Sequence, residues 1–274
     1  MRLEFYYPLW GSEMIPLPEY CEKLVNAGYQ GVEAFIPDQG VDGEEFRKTL
    51  EQHGLKFIAQ HALTLEPDFR KHREIHTARL RRLAALQPEF LSSQTGRDYF
   101  SFEQNRELLA VADEISGETG VPIIHETHRG RFSFAAHALQ PYLEALPELK
   151  LTLDISHWCV VSESLLEDQE EAVTLALSRT EHVHARVGAP QTPQIIDPRS
   201  PVWQSEVSRH LGWWRRVAQR YANEKRDRMT LTVEFGPVPY TTVHPKSGKP
   251  LLGQWEANLA IREILQSHLS DLLE

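Results

Sequence analysis

His61, Glu126, Asp154, His157, His184 and Glu234 each stand at or just beyond the end of a short run of apolar, β-branched or aromatic residues. Such groups do chemistry when a fold gathers those run ends in one place. Glu234 lies within LTVEFGP, where an unpaired carboxylate would be driven to take up a proton. A bound cation removes that difficulty. Two glutamates, an aspartate and a histidine offer hard oxygen donors with one imidazole, a set suited to Mg²⁺, Mn²⁺ or Co²⁺ better than to a thiolate-bound structural zinc, with Zn²⁺ as a further option. In His182-Val-His184-Ala-Arg186, strand alternation puts the two histidines and the arginine on one face. Buried together, these groups cost roughly 1–3 kcal/mol each unless something binds them. His184 is the better ligand and His182 the filler of a deeper layer.

Other residues carry open alternatives. Glu33 is either a carboxylate hydrogen-bonded beneath the site or a substrate contact. His61 is weighed as a substrate contact against a satisfied core histidine. Trp10 and Phe35 either line the apolar face of a substrate or belong to the core. His128, Arg129 and Arg131 form an anion site or a solvated loop. His125 points away from Glu126, as strand neighbours do, and reads as a supporting residue. Cys159 reads as a small buried hydrophobe.

The elements that must position these residues repeat. Strands are predicted at 3–7, 31–35, 56–60, 90–93, 122–125, 150–154, 182–187 and 229–235, with longer segments of helical period between them. The helices at 18–27 and 102–119 end on Gly28 and Gly120, where glycine suits a left-handed terminus. Further helices are predicted at 203–223 and 252–273. Eight βα units over 274 residues describe a (β/α)₈ TIM barrel, read as a single domain over 1–274. A doubly wound open sheet needs a glycine-rich phosphate turn after its first strand, and none follows Tyr7. The long stretches 187–202 and 236–251 follow the last two strands, where a barrel carries its binding loops.

Composition narrows the partners. Formal net charge is −10, which disfavours a nucleic-acid partner, and 41% hydrophobic with 25% charged residues is the profile of a globular core. Two cysteines, Cys21 and Cys159, cannot form a disulfide framework. The N-terminal stretch lacks an apolar secretory core and no window is apolar for long enough to span a membrane, so a cytoplasmic protein is expected.

The motifs GVEAF, HETHRG, LDISHW, HVHARVG and TVEFGP, in that order, resemble the xylose isomerase-like barrel superfamily of sugar isomerases and epimerases, over nearly the whole chain. The resemblance implies that Glu126, Asp154, His184 and Glu234 bind one divalent cation and that His157 sits beside it and contacts substrate. It implies that the two glutamates, Glu126 and Glu234, move a proton between adjacent carbons of a sugar-like substrate through an enediolate, with Arg186 beside them. Relatives of this kind often pair as homodimers.

Two departures bear on the substrate. Ketose epimerases of this group carry a further glutamate six residues after the first ligand, where this chain has Phe132; many relatives have an acidic residue where it has Arg186. An arginine there points to an acidic or oxidised sugar, with His128 contributing to its anion site. Abasic-site endonucleases of the same superfamily need a trinuclear zinc cluster, but Gln94 stands where a histidine is needed and the loop after His184 lacks an Asp-x-His pair. A lyase acting on a keto-sugar or keto-inositol shares the same proton abstraction and is the main rival; a metal-free binding barrel is a third reading.

Overall fold

A computed structural model describes residues 1–273. In chain order its elements are β1 (Arg2–Pro8), α1 (Leu17–Asn26), β2 (Gly31–Phe35), α2 (Gly43–Gln52), β3 (Lys56–His61), α3 (Phe69–Ala85), β4 (Leu91–Ser93), α4 (Phe102–Thr119), β5 (Ile123–Glu126), α5 (Ala136–Ala145), β6 (Leu151–Leu153), α6 (Ser156–Ser162), α7 (Glu170–Arg179), β7 (Thr180–Ala185), α8 (Gln204–Asn223), β8 (Arg228–Val233) and α9 (Gln254–His268). Each strand pairs in parallel with the next, and β8 returns to β1 in the register Arg2↔Arg228 to Tyr6↔Thr232, closing the barrel. The sheet is covered by helices outside and filled by side chains inside, which is why its strands read as apolar runs rather than as clean alternation.

Local sequence explains the boundaries. α4 starts on a capping box, Ser101 accepting from the Gln104 backbone while the Gln104 side chain accepts from Ser101, and stops at Gly120 with φ 71°. β7 ends earlier than its sequence suggests: the Arg186 amide turns back to the His184 carbonyl at 3.0 Å, so Arg186 lies beyond the strand, not on it. Polar groups deep in the barrel pair with one another. His182 is held between Thr230 and Thr232 at 2.8 and 2.9 Å, and Ser92 donates to Thr152 at 2.9 Å. Buried polar groups of this kind are tolerated because each finds a partner.

The two long loops also have structure. The chain after β7 folds back through Ala189↔Thr192, and that after β8 through Val243↔Pro250. Gln194 joins them: its side chain accepts from the Gly236 amide at 2.7 Å and donates to the Gly236 carbonyl at 3.4 Å. Among the described residues no helix is long and apolar enough to cross a membrane.

Two histidines buried between helices and barrel make the fold acid-sensitive. Burial pushes the His76 imidazole down to about 3 and that of His210 to about 4. His210 is fixed as the neutral form, donating from Nδ1 to the Glu206 carbonyl and accepting at Nε2 from the Gly188 amide. In the unfolded chain both titrate near 6.5, so between that pH and their folded values the unfolded state holds more protons and stability falls with falling pH. The expected slope is about 1.4 kcal/mol per pH unit for each such histidine. Urea unfolding at pH 7.5, 6 and 5 should show the decline, and His210→Asn should make it shallower; identical slopes for the two proteins would contradict this.

Candidate metal centre and active-site cavity

Glu126 closes β5, Asp154 follows β6, His184 lies near the end of β7 and Glu234 follows β8. All four are buried, and one ligand atom from each lies within 4.8 Å of the others. His184 is the hub. Its Nδ1 lies 3.0 Å from Glu234 Oε2 and 3.6 Å from Glu126 Oε1, and its Nε2 lies 3.0 Å from both oxygens of Glu33. The Nε2 side is a hydrogen bond to a carboxylate, which fixes the ring and leaves Nδ1 to face the cluster. Burial alone would drive the proton off His184, but the charges of Glu234, Glu33 and Glu126 outweigh it and hold this imidazole well above its ordinary pKa.

Glu126 Oε2, Glu234 Oε2 and His184 Nδ1 are buried without a hydrogen-bond partner, the 3.0 Å approach of the last two lacking hydrogen-bond geometry. Buried polar atoms are seldom left so, and three of them on one small space fit a cation. Asp154 completes the set: Oδ1 accepts from the Ser156 amide at 3.1 Å and its hydroxyl at 2.5 Å, and Oδ2 pairs with Arg186. Ser156 occupies both lone pairs of Oδ1, whereas Oδ2, bonded to Arg186, keeps one. Three carboxylates and an imidazole are the donors of a hard or borderline divalent ion. The cluster can hold a metal.

Arg186 binds the site to its surroundings. Besides Asp154 it meets Ser156 Oγ at 3.1 Å and His157 Nε2 at 2.9 Å, and its guanidinium lies 4.6 Å from the centre of the Tyr240 ring. His157 is fully buried and stays neutral, because burial and the nearby His128 and Arg186 push its pKa well down. It therefore accepts from Arg186, while Arg129 reaches its other nitrogen at 3.3 Å and donates to Tyr240 at 3.0 Å.

A cavity of about 1040 Å³ opens onto the cluster, and Glu126, Glu234, Arg186, His128, Trp10 and Tyr240 line it. Trp10 packs against Gly236, where a Cβ would meet the indole at 2.3 Å. Several sequence-based expectations change here. Glu33 is not at the cavity wall: it accepts from Thr232 at 2.5 Å and from His184, so it orients the histidine from below. His61 is likewise consumed inside, with Ser93 at 2.9 Å and Thr64 at 2.8 Å on its two nitrogens. His157 supports Arg186 and does not line the cavity. Arg131 is neither an anion site nor solvated; its guanidinium is spent on the carbonyls of Ala62 and Thr64 and on Gln94. Phe132 is core, packed against His125 and Tyr142.

Sequence reasoning passed over Thr232, Ser156 and Tyr240. Thr230, Thr232 and Glu234 share the inward period of β8, a signal that was available. Tyr240 had none, because it reaches the site by the path of an irregular loop.

No family model matches the sequence, and no curated protein is found similar to it. Solved structures do share its architecture. A probable 3-DHS dehydratase of petrobactin synthesis from Bacillus anthracis superposes with a TM-score of 0.61 at 13% identity, covering 95% of this chain and 98% of that one. Endonuclease IV from Thermus thermophilus gives 0.58 at 14%, covering 99% and 100%. A sugar phosphate isomerase/epimerase from Parabacteroides distasonis gives 0.55 at 15%, covering 96% and 98%. The chain therefore has a closed (β/α)₈ barrel fold shared with isomerase/epimerase, dehydratase and endonuclease structures. All three are enzymes, and here the buried carboxylate–imidazole cluster lies at the end of the barrel where such enzymes build their sites.

Proposed function

We propose that this protein is a divalent-metal-dependent isomerase or epimerase of a sugar, sugar acid or keto-sugar, with Glu126, Asp154, His184 and Glu234 as ligands and Glu126 and Glu234 as the proton-transfer pair. The convergence of three unpartnered buried atoms, Glu126 Oε2, Glu234 Oε2 and His184 Nδ1, beside a large cavity that the two glutamates line carries this reading. A divalent ion at that point supplies Lewis acidity to a substrate carbonyl and an anchor for the neighbouring hydroxyl. The chain's own residues do the rest. One glutamate carboxylate removes the proton beside the carbonyl and the other, or the same one, returns it. His184 is kept in place by Glu33, and Arg186, fixed by Asp154, His157 and Ser156, presents positive charge where oxygen gains negative charge. Trp10 and Tyr240 supply surface against the ring of a sugar. The negative net charge and the absence of a basic stripe favour a small molecule over nucleic acid.

Elimination is the second reading, favoured by the fold shared with a dehydratase, because it begins with the same proton removal. One experiment separates the two. Keto-sugars and sugar acids are incubated with the protein in D₂O and followed by NMR, with and without chelator and added Mn²⁺ or Mg²⁺. Deuterium at carbon in an isomer or epimer, lost with chelator and restored by metal, is the expected result. An unsaturated product favours the lyase, and exchange that ignores chelator contradicts metal dependence.

A further inference from the structure

The cavity is larger and greasier than a sugar site requires. At about 1040 Å³ it sits at the top of the range of about 300–1,000 Å³ that buries a drug-sized ligand, whereas a free monosaccharide of about a dozen heavy atoms fills a small part of it. Glu126, His128, Arg186, Glu234 and Tyr240 collect at one end, at the carboxyl ends of β5, β7 and β8 and just beyond them. From there the cavity runs over the β1–β3 side of the mouth, between Ile15, Leu17, Phe35, Val41, Phe46 and Leu63. Leu63 is 52% exposed, Val41 44% and Met14 95%, although all three line this arm. Contiguous exposed apolar surface next to a polar site marks a place that something covers. The outer rim carries Glu13, Asp42 and Glu45, which disfavours a negatively charged group there.

We propose that the substrate carries a neutral hydrophobic substituent of the size of an aryl aglycone on its polyol, and that this apolar arm receives it. The inference rests on the polyol reading above, since it assigns the carboxylate end to the sugar. Continuity decides the occupant: arm and cluster are one cavity, so a ligand held by Glu126, Glu234 and Arg186 extends into the arm without crossing a barrier.

The test compares methyl β-D-glucopyranoside, 2-naphthyl β-D-glucopyranoside and 2-naphthol by titration calorimetry on the full chain with MnCl₂ present. Burial of the aryl surface should make the naphthyl glucoside bind at least about tenfold tighter than the methyl one. Val41→Asp and Leu63→Asp, both at exposed positions, should cancel that gain while the thermal midpoint holds. Naphthyl affinity no better than methyl affinity, or untouched by the double variant, overturns the arm. Saturable 2-naphthol binding that Val41→Asp/Leu63→Asp abolishes supports the arm even when Glu234→Gln leaves glycoside binding unchanged, a result that counts against the polyol reading alone. Metal-dependent exchange on a plain sugar with no binding of either naphthyl probe has the opposite meaning: the polyol reading stands and the arm falls.

Discussion

Glu234→Gln is expected to remove nearly all turnover and solvent exchange while leaving the barrel folded. The side chain keeps its volume and one oxygen in the same cleft, so the change deletes a base and a negative charge and little else. Loss of general base help alone predicts a fall of roughly 10²–10⁴-fold in kcat. Because Glu234 also faces His184 Nδ1 at 3.0 Å, the affinity for Mn²⁺ should drop as well. Measuring both matters: kcat that stays low when Mn²⁺ saturates the variant identifies a proton-transfer role, and full recovery at high Mn²⁺ reduces Glu234 to a ligand. Glu126→Gln read in the same way shows whether the two glutamates share the work or divide it.

Arg186→Met is expected to produce the largest loss of stability of any single change at the site. It strands the Asp154 carboxylate, fully buried and paired with Arg186 through Oδ2, with only Ser156 in support. Removing one partner of a buried ion pair costs about 3–5 kcal/mol, because the remaining charge has lost its compensation. Two further measurements make the prediction specific. Asp154→Asn added to Arg186→Met should recover part of the loss, and a divalent ion should stabilise Arg186→Met through preferential binding to the folded state. Urea unfolding of the three proteins, with and without Mn²⁺, decides it; a single variant as stable as the wild type in the absence of metal would show that Arg186 does not compensate Asp154.

The barrel was legible in the sequence because eight apolar runs punctuated by helical period leave few alternatives, and because Gly28 and Gly120 mark the ends of two helices. The four cluster residues were legible for a related reason: ionisable groups at the ends of buried strands gather at the barrel mouth unless a partner inside takes them up. What the sequence could not give was the partner of each polar group. Glu33 and His61 look alike from alternation, both inward and both near strand ends, yet one is taken by His184 and Thr232 and the other by Ser93 and Thr64. Apart from His61–Thr64, those pairings join residues tens to hundreds of positions apart, and no local pattern encodes them. Arg131 misled in the same way: its loop reads as solvated, and only the fold reveals that carbonyls of the β3 loop surround its guanidinium. Trp10 kept its place at the cavity because the neighbouring Gly236 leaves it room, a relation between two ends of the chain.

The mouth of the barrel is divided along the chain. Its cluster side comes from Glu126 onward, with Gln194 clasping the two late loops into one wall, while most of its apolar lining comes from residues up to Leu63. Ties across the rim, Arg131 to the Ala62 and Thr64 carbonyls and Gln254 to the Trp10 carbonyl, hold the backbone of the early loops, so their side chains are free to diverge. On the proposed reading, substitutions among the apolar side chains of the first quarter, which spare Glu33 and its bond to His184, retune which molecules are accepted without disturbing the proposed proton-transfer pair. A lineage built this way can change diet while keeping its chemistry, and a recombinant that exchanges the first three βα units but keeps Glu33 should inherit the preference of one parent and the reaction of the other.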